Sequence, residues 1–303
     1  MAGLESIFRP VAGMRPKLAC EIRPEGVMAA RPGRRHGELI MAFAALPEGT
    51  VLPGLKVPNL TNQRSVTAAI ESSLGDIGVS SGALAVVVPD AAARVLLLDF
   101  DTLPSKRQEA LSVVRFRLRK MVPFDVEGAA VSYQIMAERD SQLHVMVTVM
   151  PGDVLEEYEN AVRAAGFDPG AVLPSTVAAA AAVFDNGATL IVNHTGASVT
   201  TAITQGDEML LHRSMDLPAD PLSREEEMAQ AVITALAWYE DTLKGMPGTF
   251  YYAGPGGAGA AAQSRWLSLV DPAPRIADLG STEGSALTTI PPGVTAGVTG
   301  ALA

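Results

Sequence analysis

The residues best suited to chemistry are few in this chain, and their spacing offers little. Four histidines (His36, His144, His194 and His212) share no ligand spacing of the His-x-x-x-His kind, and Cys20 is the one cysteine. Neither a metal centre nor an internal disulfide follows from that set. Asp99 and Asp101 lie two apart on one strand face, as paired carboxylates could. No further acid or metal motif accompanies them, so they read as a solvated strand end. Ser72, Ser73, Ser80 and Ser81 flank turns and lack the strand–elbow–helix setting of a nucleophilic serine. One constellation is left, Gly254-Pro255-Gly256-Gly257-Ala258-Gly259, directly after an apolar strand. Glycines there can bring backbone amides up to an anion, and they can equally do no more than permit a tight connection.

Composition narrows the function classes. The chain has 303 residues, 48% of them hydrophobic, and a net charge of −10. That length suggests two domains and is ample for a core without staples. Residues 1–36 run against the overall charge, with seven basic side chains (Arg9, Arg15, Lys17, Arg23, Arg31, Arg34, Arg35) facing Glu5, Glu21 and Glu25. The rest is strongly acidic and repels phosphate backbones, so nucleic acid is not an expected partner. Arg31, Arg34 and Arg35 read as a solvated hairpin loop. A second basic set, Arg115, Arg117, Arg119 and Lys120, reads as a solvated helix face or a docking surface. Charges at Glu5, Arg9, Arg15 and Lys17 interrupt any signal-peptide run, and Pro291 and Pro292 interrupt the uncharged stretch 284–303. A soluble, cytoplasmic protein is expected.

The elements that would position these residues come from periodicity and punctuation. Strands are expected at Lys17–Ile22, Gly26–Arg31 and Glu38–Ala45, separated by Pro-Glu-Gly and Pro-Gly. Val66, Ala69, Ile70, Ser73 and Leu74 have helical spacing ahead of Gly75, and strands follow at Ala83–Val88 and Val95–Phe100. Ser105 with Gln108, Asp153 with Glu156, and Ser223 with Glu226 each suggest a capping box opening a helix. Between the first two helices lie strands Ala129–Ile135 and Leu143–Val149. A second meander (Thr189–Asn193, Val199–Thr204, Met209–Ser214) precedes the third, which Gly245 closes ahead of strand Thr249–Ala253. A short helix is expected after Pro292. Meander, helix and strand thus occur twice, without sequence identity between the copies. The implied organisation is a first domain over 1–93, an inserted α+β unit over 94–173, and a second domain over 174–303.

This α/β duplication with an insertion resembles the actin-like (ribonuclease H-like) ATPase superfamily, and within it the PilM family of type IV pilus assembly proteins, with FtsA more distant. The stretch Val88–Pro174 carries the likeness: Arg94-Val-Leu-Leu-Leu-Asp-Phe-Asp, Leu103-Pro104, an Arg-rich helix, Val122-Pro123-Phe124-Asp125, Tyr133-Gln134, then Tyr158 through Ala164-Ala165-Gly166-Phe167 to Pro174-Ser175. Trp238-Tyr239 and the Pro291-Pro292, Gly297, Gly300 ending add weaker support. The resemblance implies ATP with magnesium between two domains. It also implies that the N-terminal tail of an inner-membrane PilN-like protein is held beside the inserted unit. Other platform components would be partners, membrane association would be indirect, and a homo-oligomer is compatible with the family.

The family's nucleotide positions can be followed residue by residue. The first phosphate loop corresponds to Glu21-Ile22-Arg23-Pro24-Glu25-Gly26-Val27-Met28: Glu21 keeps a carboxylate, but Arg23 stands where glycine belongs. Pro24 removes an amide donor, Glu25 sets a negative charge where phosphates would lie, and Met28 replaces lysine. In the second loop Asn193 takes the aspartate position and glycine slides to Gly196. The third motif corresponds to Gly254, Gly256 and Gly257, and survives best. The single short loop Met215–Ser223 leaves no room for the nucleotide-capping subdomain, a reduction shared with GspL of type II secretion. The expected function is a non-enzymatic, actin-like scaffold with no resident cofactor. The alternatives are an ATP-regulated relative and, less favoured, a small-molecule kinase of the superfamily.

Overall fold

The computed structural model describes residues 16–183, 187–247, 249–279 and 284–303. The chain opens with β1 (Leu18–Arg23), β2 (Gly26–Pro32), β3 (Leu39–Ala45), α1 (Gln63–Asp76) and β4 (Ala83–Val88). Then come β5 (Arg94–Phe100), α2 (Arg107–Leu118), β6 (Ala130–Arg139), β7 (Gln142–Met150), α3 (Gly152–Ala164) and β8 (Asp168–Pro174). The second half holds α4 (Ser175–Ala180), β9 (Ala188–Thr195), β10 (Ser198–Gln205), β11 (Glu208–Asp216), α5 (Pro221–Leu243) and β12 (Thr249–Ala253). It ends with α6 (Gly257–Gln263), α7 (Arg265–Ser268), β13 (Arg275–Asp278), β14 (Gly284–Ala286) and α8 (Ala296–Leu302).

The expected duplication is explicit in the sheets. The first runs β14-β3-β2-β1-β4-β8 and the second β11-β10-β9-β12-β13. In each, an antiparallel three-strand meander is followed by two parallel strands added beside its first strand. β1 and β9 are thus the central strands of their sheets, covered on both faces, which is why even their polar residues are buried along almost the whole length. Cys20 on β1 is buried, and that burial pushes its thiol up to about 12, so it acts as a small apolar residue.

Three packing layers follow. α1 and α3 cover one face of the first sheet through Val66, Ile70, Leu74, Tyr158 and Val162. α5 covers the outer face of the second sheet through Met228, Val232, Ala235 and Tyr239. Between the two sheets lie α4 and α8. Val298 and Ala301 pack with Ala19 and Val87 of the first sheet, while Val177, Ala179 and Ala296 pack with Ile191 and Ala202 of the second. This middle layer is thin because of glycine. A Cβ at Gly300 would overlap the Ala178 carbonyl, and one at Gly297 would overlap the Glu21 carboxylate, so no larger residue lets α8 lie this close.

Hydrogen bonding redraws the insertion. β5, β7 and β6 form a three-stranded sheet of their own, with α2 on one face. β8, however, pairs with β4, and α3 packs on α1, so both complete the first domain. By hydrogen bonding the three-stranded sheet ends with β7 at Met150, and β8 belongs to the first sheet. β14 in turn pairs with β3, and α8 packs against β1 and β2. The three helix starts also differ from the capping boxes. α2 has Lys106 at its N-cap and α3 has Pro151, neither making a side-chain cap bond. α5 is capped by Asp220, whose Oδ2 accepts from Ser223 N at 2.9 Å, with Pro221 at the first position, where a missing N–H costs nothing. β11 runs to Asp216, so residues 217–220 are the whole connection to α5. No helix among the described residues is long and apolar enough to cross a membrane.

Candidate functional site

The ends of the two central strands meet where the halves face each other. Glu21 and Arg23 close β1 and Asn193 and His194 close β9, with Asp90 in the short turn after β4 and Ser175 and Thr176 opening α4. Glu21, Arg23, Asp90, Ser175, Thr176 and Asn193 are all buried. Arg23 Nη1 donates to Glu21 Oε1 at 3.0 Å, Nε donates to Glu25 Oε2 at 3.4 Å, and Nη2 reaches across to the His194 carbonyl at 3.3 Å. Ser175 Oγ donates to Glu21 Oε1 at 2.7 Å. Asn193 Nδ2 lies within reach of Thr176 Oγ1 (2.9 Å), Ser175 Oγ (3.0 Å) and Asp90 Oδ2 (3.3 Å). Thr176 donates to Asp90 through both its amide and its hydroxyl. One network of side chains from both halves therefore fills the bottom of the cleft.

At the rim the two hairpin turns touch. Gly196 has φ +60°, and a side-chain carbon there would lie 3.1 Å from Pro24 Cγ. The third motif is covered too. Gly254 packs on Tyr252 and His194, and Pro292 and Gly293 lie against the Gly254–Gly257 turn. Gly256 and Gly257 take positive φ at the start of α6, and the Ala258 amide there donates to Asp278 Oδ1 at 2.7 Å. A carboxylate of the chain itself thus sits on an amide that could have faced an anion.

The electrostatics fit a closed site. Burial pushes the Glu21 carboxyl up, against the pull of Arg23 and Ser175. Burial opposes the Arg23 cation, but Glu21 and Glu25 more than offset it and raise its pKa. His194 and His212 are held below their ordinary value by burial, which keeps them neutral. Glu21 Oε2 and Asn193 Oδ1 have no hydrogen-bond partner among the described residues. Magnesium nucleotide does not fit these residues: Arg23 already neutralises Glu21, Glu25 and Pro24 occupy the phosphate turn, and Asp278 takes the third-motif amide. Among the described residues no group of three or more His, Cys, Asp or Glu side chains is placed to hold a metal ion.

Of the six sequence-derived positions, Glu21, Asn193 and Gly196 lie on the seam between the halves, Gly196 against Pro24, and Glu21 and Asn193 enter the buried network; Gly254, Gly256 and Gly257 pack on Tyr252, His194, Ala260, Asp278 and Pro292. Asp90, Thr176 and Asp278 went unread in the sequence. Asp90 and Ser175 each directly follow a proline that ends a strand, Pro89 and Pro174, which is the one local signal that could have paired them. Asp278 had none. Asp99 and Asp101 lie away from the seam at the exposed end of β5, where Asp99 pairs with His144 at 2.7 Å.

A different opening lies beside the insertion. β8 is the last strand of the first sheet and β6 the outer strand of the three-stranded sheet, so each leaves one edge unpaired. A cavity of about 230 Å³ runs between them, lined by Val131, Ser132 and Thr148 on one side and by Gly170, Ala171 and Val172 on the other. Its one charged lining residue is Glu159, which is paired with Arg163 at 2.6 Å.

No family model matches the chain, and no curated protein matches it by sequence. Among solved structures it is similar to the PilM-PilN type IV pilus biogenesis complex, with a TM-score of 0.70 at 17% identity over 88% of this chain and 89% of that one. It is also similar to the cytoplasmic domain of EpsL, an inner membrane component of the type II secretion system of Vibrio cholerae (TM-score 0.51, 12% identity, 93% and 92% covered). The ethanolamine utilization protein EutJ from Carboxydothermus hydrogenoformans matches at TM-score 0.53 and 10% identity, over 99% and 93% of the two chains. At such identities the likeness is one of fold: this is an actin-like α/β chain, in which one five-strand order is used twice.

Proposed function

We propose that the chain is a non-enzymatic actin-like scaffold of a type IV pilus or related secretion platform, at the cytoplasmic face of an inner membrane. The open groove between β6 and β8 carries this reading, together with the likeness to a PilM-PilN complex. The extended N-terminal tail of a bitopic PilN-like partner would lie along one of the free edges. Main-chain hydrogen bonds would give affinity and the apolar groove would choose side chains. Pro169 and Pro174 bracket the β8 edge, which limits pairing to a short stretch and guards against indiscriminate strand addition. Hydrolysis is not expected, because Arg23 holds Glu21, Glu25 stands at the first turn and Asp278 takes the Ala258 amide.

Fluorescence anisotropy with a labelled synthetic peptide of such a partner's cytoplasmic tail tests the proposal. Saturable micromolar binding is expected, and no change up to millimolar peptide would refute it. A second reading, nucleotide-regulated capture, is favoured by a cavity of about 510 Å³ beside Pro24, Glu25, Gly196 and Arg224. Calorimetric titration with magnesium ATP separates the two: micromolar binding would establish the second reading, and absence of heat at millimolar nucleotide would leave the first.

A further inference from the structure

α2 turns an unusual face to solvent. Its buried side is Ala110, Val114 and Leu118, packed on the insertion's sheet. Beside that runs a second stripe at helical spacing, Val113, Phe116 and Arg117, continued by Lys120 in the turn just after the helix. Phe116 is 73% exposed, and Val113 and the nearby Met121 are also exposed. The Arg119 guanidinium lies over one face of the Phe116 ring at 5.8 Å, and the rest of the ring is left to solvent.

The charge around it is as uneven. Residues 105–121 carry six basic side chains against Glu109 alone, in a chain whose net charge is −10. Several of these cations are engaged within the insertion. Lys106 pairs with Glu109, Arg119 pairs with Glu127, Arg115 donates to the Val126 carbonyl, and Arg107 lies over the Tyr133 ring. Arg117 and Lys120 have no partner among the described residues, and they flank Phe116 on the same stripe.

We propose that this stripe is a membrane-surface contact for anionic phospholipid. Phe116 and Val113 would enter the headgroup–acyl boundary, and Arg117 and Lys120 would lie at phosphate level. The shape favours a bilayer over a protein. The apolar groups stand out singly from a convex helix, so a protein partner would need a pocket matched to Phe116, whereas a fluid interface accommodates a protruding ring without one. The acidic remainder of the chain would be repelled by the same surface, which orients the molecule with the insertion toward the lipid. No residue of the stripe lines the β6–β8 groove. Lipid contact and tail capture are therefore separable.

Co-sedimentation of the full chain with vesicles tests this. Vesicles containing phosphatidylglycerol should retain the protein and pure phosphatidylcholine vesicles should not, and about 0.5 M salt should release it. At roughly fivefold per basic residue near an anionic surface, Arg117→Gln with Lys120→Gln should weaken partition about 25-fold. Phe116→Ser should weaken it further while leaving the circular dichroism spectrum unchanged. Equal binding to both vesicle types, or wild-type partition by the double variant, would overturn the proposal. So would a wild-type self-association in lipid-free size exclusion that these substitutions abolish, since the stripe would then belong to a second copy.

Discussion

The seam between the halves and the groove beside the insertion differ in where their hydrogen-bonding capacity points. In the seam, Arg23 bonds Glu21, Glu25 and the His194 carbonyl, and Asn193 reaches three partners. Every bond is internal and most of the side chains are buried. In the groove, two strand edges and a row of small side chains face outward with their main-chain groups unpaired by any strand. The first region holds two domains together. The second can hold something else. At the seam the two halves are therefore cross-linked by the chain's own side chains.

The sharpest way to break that contrast is to remove the central cation. Arg23→Ala leaves Glu21 buried without its partner and should destabilise the chain by about 3–5 kcal/mol, read from urea unfolding. A loss below about 1 kcal/mol would mean that the seam is not held by this bridge. Asn193→Asp is the next test, since it restores the residue that a nucleotide-binding relative would carry. Here it replaces an amide donor with a carboxylate beside Asp90, and a loss of about 1–3 kcal/mol is expected. A gain in stability with magnesium ATP would instead show that the seam still takes nucleotide. On the groove side, Ala171→Glu should weaken tail-peptide binding about tenfold or more while changing the melting temperature little. Unaltered affinity would move the tail elsewhere.

The smallest effect is one of pH. Glu21 is held above its ordinary 4.5, so the folded chain binds that proton more tightly than the unfolded one does. Its contribution is complete below pH 4.5 and is lost as pH rises through the folded-state value. Glu21→Gln removes that dependence, and its stability relative to wild type should improve steadily from pH 4.5 upward. A difference that is flat with pH would remove the buried carboxyl from the account. His194 and His212 act in the opposite sense. Held below 6.5 by burial, they contribute fully above pH 6.5 and lose that contribution as pH falls through their depressed values.

Much of the fold was legible because turns announced it. Pro-Glu-Gly between β1 and β2 and Thr-Gly between β9 and β10 punctuate the meanders, and the five helically spaced positions of α1, Val66, Ala69, Ile70, Ser73 and Leu74, are the ones buried. The helix starts were less so: Lys106, Pro151 and Asp220 open them where Ser105–Gln108, Asp153–Glu156 and Ser223–Glu226 suggested boxes. Membership was not legible at all for β8, β14 and α8, because which sheet a strand joins depends on partners far off in sequence. The site was half legible. Arg23 in place of glycine signalled an altered turn, but its bond to the His194 carbonyl depends on two strand ends 171 residues apart. Asp90 and Thr176, 86 residues apart, are likewise joined only in space.

The middle layer also bears on how the chain acquires its shape. Val298 and Ala301 of α8 complete the cluster around Ala19 and Met28, and β14 pairs with β3. The first sheet thus cannot bury its inner face until β14 and α8, far from β1 in sequence, have been synthesised. Such a high separation between contacting residues slows folding and lengthens the time for which apolar surface is open. On the ribosome, the outer core around α1 and α3 can form early, while the inner face waits for α8 to leave the exit tunnel.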